Sequence, residues 1–167
     1  YMDKFGKATK ITKNPSRVVI AYNSILGLWY FAGGTSLTKV KGTTNVPEEA
    51  LDLFDLGSLG ELSLEAIIAQ EPELVILAAN YESQVALAPS LNEIGIETMI
   101  IDISIRSYER FKENAYLFSL INNSQDIYEE KLLPINKDVE AIIEKTSGIE
   151  ESPRVAAIFA SSKSLKL

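Results

Sequence analysis

The chain has 167 residues, nearly half of them hydrophobic, which is enough for one globular domain with a full core. Its formal charge is −7 and no patch of clustered Lys and Arg is present, so nucleic acid is excluded as a partner on electrostatic grounds. No apolar run approaches the roughly 18 residues of a membrane span, and the first residues are polar, unlike a signal peptide. Zero Cys rules out disulfides and thiolate metal sites in this sequence, and zero His removes the commonest transition-metal ligand and general base.

Arg17 to Ala21 reads as a first strand. Ser24 is a candidate cap for a helix through Phe31, rich in Ile, Leu, Trp and Tyr and closed by Gly33-Gly34. Lys39 to Lys41 is a short second strand. Pro47 with Glu48 and Glu49 is a helix-start signal, with acids near the positive end of the dipole. The stretch from Phe54 to Ala79 is the most informative part of the chain. It contains a Gly-marked turn, a Ser63-capped helix with Leu64, Ile67 and Ile68 on one face, and a stop at Glu71-Pro72. Leu74 to Leu77 then run apolar without alternation, as in a strand covered on both faces.

A helical segment interrupted or begun by Pro89 lies between Ser83 and Ile94 and ends at Gly95, and Thr98 to Ile101 is a fourth strand. Ser107 to Ile121 and Gln125 to Thr146 read as helices; Pro134 predicts a kink or break near Leu133, since an interior proline removes a hydrogen bond and clashes with the preceding turn. Strands alternating with helices predict an α/β fold: a parallel sheet of about four strands with helices on both faces.

The wording of these elements carries a resemblance. "LGSLGELSLEAIIAQEPELVIL" (Leu56 to Leu77) resembles the "vGs…nlE.I.alkPDLVI" signature of ABC-importer substrate-binding proteins for ferric siderophores, haem and cobalamin. YMDKFG at the start, NPSRVVI from Asn14, KVKGT from Lys39 and LNEIGIETMIID from Leu91 resemble further segments of that family in the right order. PRVAAIFA, from Pro153, resembles the first strand of the family's second lobe. The resemblance therefore implies three parts: an N-terminal α/β ligand-binding lobe over 1–106, helices packing on it and linking to a second lobe over 107–148, and the start of that second lobe over 149–167. It implies an export signal upstream of Tyr1, with or without a lipid-anchored Cys. The protein would be extracytoplasmic, periplasmic or a cell-surface lipoprotein, and a monomer when full length.

In open parallel sheets, ligands bind beyond the carboxyl ends of the strands. The loops there supply Tyr22, Asn23, Thr44, Asn45, Asn80, Tyr81 and the Ser104–Arg106 segment, and the resemblance adds the turn at Leu59. Aromatic faces, amides, hydroxyls and one guanidinium suit a bulky organic ligand held by stacking and a few hydrogen bonds. A tyrosine can stack on a chelate, ligate iron through its phenolate, or fill a half-buried surface position. Arg106 can pair with an anionic ligand group or stay solvated. Asn23, Thr44 and Asn45 are also ordinary turn residues.

Glu65 matches the Glu of "nlE", which in the family bridges to an Arg of the membrane permease; the alternative is a first-turn acid answering the helix dipole. Glu61 is the fallback if the loop shifts register. The implied function is capture of a ferric siderophore, haem or cobalamin and delivery to the permease of an ABC importer, with no resident cofactor, no protein metal site and no catalysis. Two rivals remain. One is a zinc or manganese receptor of a neighbouring class, disfavoured by the lack of His. The other is an α/β enzyme, for which no paired nucleophile and base is visible.

Overall fold

A computed structural model describes residues 1–3, 5, 6, 8–102 and 107–149, together with the backbone of 159, 160, 165 and 166. The chain divides into two compact units, Tyr1–Lys131 and Leu132–Leu167.

The first unit is built on a parallel sheet. Strand β4 (Leu74–Ala78) is central, flanked by β1 (Val18–Ile20) and β5 (Glu97–Ile101), with Val19 opposite Val75 and Met99 opposite Ile76. All five β4 side chains are buried, as its unbroken apolar run requires for a strand covered twice over. On one face, Val19, Ala21, Val75 and Leu77 pack against Ile67 of α2 (Leu64–Ile68) and against Ala88 and Leu91 of α4 (Ala88–Glu93). The alternate residues Val18, Ile20, Leu74 and Ile76 point the other way, by the two-residue period of the strand, and are equally buried. Helix α1 (Asn23–Phe31) packs on α5 (Tyr108–Asn122), where Trp29 meets Phe118 edge to face at 5.1 Å between ring centres.

Beyond β1 the sheet continues by a substitution. The Leu37 N–H donates to the Val18 carbonyl (2.8 Å), but the Ile20 N–H donates to the Thr38 hydroxyl (3.3 Å) rather than to backbone. Strand β2 (Thr38–Lys39) then pairs in parallel with β3 (Phe54–Asp55), tied across by Lys39 and Asp55 at 3.1 Å. Thus the α/β architecture is as expected, but the sheet is a three-stranded ladder with a separate two-stranded parallel ladder beside it. Strand β3 lies where the sequence shows only a turn. Its two residues are exposed and carry no alternation to read.

Local signals fare unevenly. The Ser63 hydroxyl accepts from the Ala66 N–H (3.1 Å), the expected cap. Ser24 caps nothing: the α1 N-cap is Tyr22, with no side-chain capping bond. The Pro47 signal yields only one 3-10 turn, Glu48–Ala50. The segment around Pro89 divides into α3 (Glu82–Val85) and α4, with the proline in the first turn of α4. At the end of α1, the Gly34 N–H reaches back to the Trp29 carbonyl (3.0 Å). A Cβ on Gly34 would lie only 2.2 Å from Trp29 Nε1, so glycine is required there by contact.

Helix α6 (Gln125–Thr146) begins in the first unit and runs into the second, continuous through Pro134, so the expected break is absent. In the second unit Ile142 and Ile143 are largely exposed. Phe159–Ala160 (β6) pairs antiparallel with Leu165–Lys166 (β7) in a ladder of its own. The rest of the segment from Pro153 that resembles a first strand of a second lobe lies outside the described residues.

Candidate functional site

The carboxyl ends of β1 and β4 set the site. Parallel neighbours end side by side, so the residues that follow them are neighbours too: Tyr22 after β1 and Tyr81 after β4. Each is half-buried and each serves as the N-cap of the next helix, α1 and α3. Their rings lie 5.9 Å apart, tilted by 40°, within the range of attractive aromatic pairs.

Beside Tyr22 opens a cleft of about 160 Å³, lined by Tyr22, Asn23, Thr44, Asn45 and Leu59, with Lys41 at its edge. Five of the sequence-predicted residues therefore meet at one place. The volume is below the several hundred Å³ typical of a complete small-molecule site.

Asn23 is more structural than expected. It is buried, its Oδ1 accepts from the Val40 N–H (3.0 Å), and its Nδ2 donates to the carbonyls of Val40 (3.1 Å) and Gly42 (3.4 Å). It thereby stitches the start of α1 to the chain leaving β2. Asn45, in the left-handed region at φ 60°, donates through Nδ2 to the Ser24 hydroxyl (2.9 Å). Its carbonyl approaches so near to Gly27 that a Cβ there would sit at 2.9 Å. Thr44 is exposed on the rim. Leu59 packs into the core beneath the cleft.

Asn80 faces a neighbouring concavity with Phe5 and Glu82. Arg106, with Ser104, lies outside the described residues. Glu61 is exposed. Glu65 is exposed in the first turn of α2, where the Ser63 hydroxyl donates to its Oε2 at 2.7 Å and holds its pKa below the ordinary glutamate value. Because α2 leads back to the start of β4, its N-terminus lies at the same end of the sheet as the tyrosines. The division into compact units falls after Lys131.

Two residues of the site escaped the sequence reading. Lys41 was read only as strand, although its position at a strand's carboxyl end marks it by the same rule that marked Tyr22. Gln84 is wholly buried below the tyrosines. Its only advance signal is its place three residues beyond Tyr81, facing inward from a short helix.

No protein-family model and no curated protein matches this chain. Solved structures do. The siderophore-binding protein BauB, bound to ferric iron with two acinetobactin molecules, aligns over 99% of this chain and 59% of its own, at 19% identity and a TM-score of 0.76. SirA of Staphylococcus aureus, complexed with staphyloferrin B, aligns over 89% and 52% at 20% identity and TM-score 0.64. The periplasmic vitamin B12-binding protein BtuF of Vibrio cholerae aligns over 81% and 52% at 14% identity and TM-score 0.66. The chain thus has the fold of part of a periplasmic binding protein, and it spans a little over half the length of these structures.

Proposed function

We propose that this chain is the N-terminal lobe of an extracytoplasmic solute-binding protein that captures a ferric siderophore, or a related chelate such as haem or cobalamin, and hands it to the permease of an ABC importer. One observation carries the reading: two tyrosines are paired at the carboxyl ends of a parallel sheet, and one of them, Tyr22, lines a small cleft. The shared fold with proteins that bind ferric siderophores and vitamin B12 supports it. The tyrosines offer faces for a flat or bulky chelate, and Thr44, Asn45 and Lys41 offer hydrogen bonds at its edge. Glu65 is the residue proposed to meet the permease; its exposure on the same end of the sheet is what docking needs. Retention outside the cytoplasm, free or lipid-anchored, follows from that role. Among the described residues no group of three or more acidic side chains is arranged to hold a metal ion.

The test is a calorimetric titration of the two-lobed protein with a ferric tris-catecholate, a ferric trihydroxamate, haemin and cyanocobalamin. Saturable binding of one probe, weakened in Tyr22→Ala and Tyr81→Ala, is expected. Absence of binding to all four would overturn the reading.

A further inference from the structure

Below the tyrosine pair sits an amide that does not line the cleft. Gln84, in α3, is fully buried. Its Oε1 accepts from the Ala78 N–H (2.9 Å), and its Nε2 donates to the carbonyls of Ala21 (3.0 Å) and Leu59 (3.0 Å). These three partners belong to three different segments: the end of β4, the residue after β1, and the turn before α2. Ala21 immediately precedes Tyr22, Ala78 lies three residues before Tyr81, and Leu59 lines the cleft. Both amide hydrogens are used. Glutamine is seldom fully buried, and a buried amide is tolerated only when its partners are complete.

Backbone pairing would hold β1 beside β4 without this residue. What Gln84 adds is the turn at Leu59 and the seating of α3, whose N-cap is Tyr81. We infer that Gln84 is the positioning residue of the cleft, fixing the separation and tilt of Tyr22 and Tyr81 by clamping Ala21, Leu59 and Ala78 to α3. Its service to a ligand rests on the function proposed above; the clamp itself does not.

Glutamate at position 84 is the discriminating replacement, because it keeps the shape and changes one atom. An ionised carboxylate would set an acceptor oxygen against the two carbonyl oxygens of Ala21 and Leu59. Protonation returns one donor. Gln84→Glu is therefore a variant whose clamp opens at high pH and closes at low pH, with burial raising the pKa of the introduced acid.

The experiment labels the protein with 3-fluorotyrosine and follows the fluorine NMR signals of Tyr22 and Tyr81, assigned with Tyr→Phe variants. In Gln84→Glu at pH 8 both signals should shift or broaden, while those of Tyr116 and Tyr128 stay at parental positions. At pH 5 the Tyr22 and Tyr81 signals should return toward parental values. Signals at parental positions at both pH values overturn the inference. So does joint collapse of all four signals at pH 8, which would make Gln84 a general stability residue. A parallel titration uses whichever of the four probes binds the parent, and affinity should be roughly ten-fold weaker at pH 8 through lost preorganisation, recovering at pH 5. If no probe binds the parent, the ligand reading fails while the tyrosine signals still decide the clamp.

Discussion

At the amino ends of its strands the sheet secures the neighbouring chain with carboxylates; at the carboxyl ends it does so with amides. Glu73 Oε2 accepts from the backbone N–H groups of Ser16 (2.6 Å) and Arg17 (3.3 Å), and Glu97 accepts from the N–H (2.7 Å) and hydroxyl (2.6 Å) of Thr12. Arg17 in turn donates through Nε to the Glu71 carbonyl (2.8 Å) and through Nη2 to that of Gln70, answering the carbonyls beyond α2. All of these bonds lie in water. At the other end, Asn23 and Gln84 make six bonds between them, in the interior or at its margin. Charged groups in water make bonds that cost little to form and little to lose, and that depend on salt and pH. Neutral buried amides do not titrate, but breaking one strands several polar groups at once. The bonds that Asn23 and Gln84 make beside the cleft therefore do not depend on pH, unlike those at the opposite end.

The sharpest way to break this contrast is Asn23→Ala. It leaves the buried Val40 N–H without its partner, and stability should fall by about 2 kcal/mol, read from the urea midpoint. The loss should be equal at pH 5 and pH 8. A loss that varies with pH would show that charge matters at this end after all.

Next in size come the tyrosines. Tyr81→Ala and Tyr22→Ala should each weaken chelate binding roughly ten-fold, about 1.4 kcal/mol, with a small change in thermal midpoint. The corresponding Phe variants, which keep the ring, should lose less in calorimetric titration. Equal losses for Phe and Ala would shift the emphasis from ring faces to hydroxyls.

Glu73→Gln probes the opposite end. Hydrogen bonds from Ser16 and Arg17 hold the Glu73 pKa below its ordinary value of 4.5. Its contribution is therefore complete above that value and disappears as pH falls through the lower folded pKa. At pH 7 the variant should melt slightly below the parent, and the two melting curves should converge in acid. A difference that persists undiminished at pH 2 to 3 would mean that the ionised carboxylate is not what holds Ser16.

The smallest effect on the isolated protein belongs to Glu65. Glu65→Ala and Glu65→Lys should leave stability and ligand affinity near parental values, while cellular uptake falls, more for Lys than for Ala, as expected for a rim charge facing a partner Arg. Parental uptake by Glu65→Lys would remove the docking role.

What the sequence reveals divides along similar lines. The buried ladder is legible because each strand is a run of apolar residues: Val18–Ile20, Leu74–Ala78, and the inner residues of Glu97–Ile101. Of the two-residue strands, β2 was read one or two residues late, at Lys39 to Lys41, and β3 was not read, because they are held by a Thr38 hydroxyl and a Lys39–Asp55 pair rather than by a hydrophobic face. Tyr22, Thr44 and Asn45 were found by the rule that ligands sit past strand ends and Leu59 by the family resemblance, and the fold brings them together. Asn23 was found by the same rule, but its side chain is engaged with backbone. Gln84 was invisible because glutamine's usual place is the surface. Pro134 was read as a kink or a break, and α6 continues through it without a break.

The single tryptophan bears on how this protein can be watched. Trp29 is fully buried, its indole N–H donates to the Thr35 carbonyl (2.9 Å), and it lies seven residues, about 10 Å along α1, from Tyr22. An indole so enclosed emits at short wavelength and answers to the integrity of the α1–α5 packing. Its fluorescence will report unfolding faithfully and remain nearly silent to events at the cleft mouth, except by energy transfer to a coloured ligand. A dark chelate would leave the emission of Trp29 unmoved, and within this chain the optical signal of its arrival is expected from Tyr22 and Tyr81.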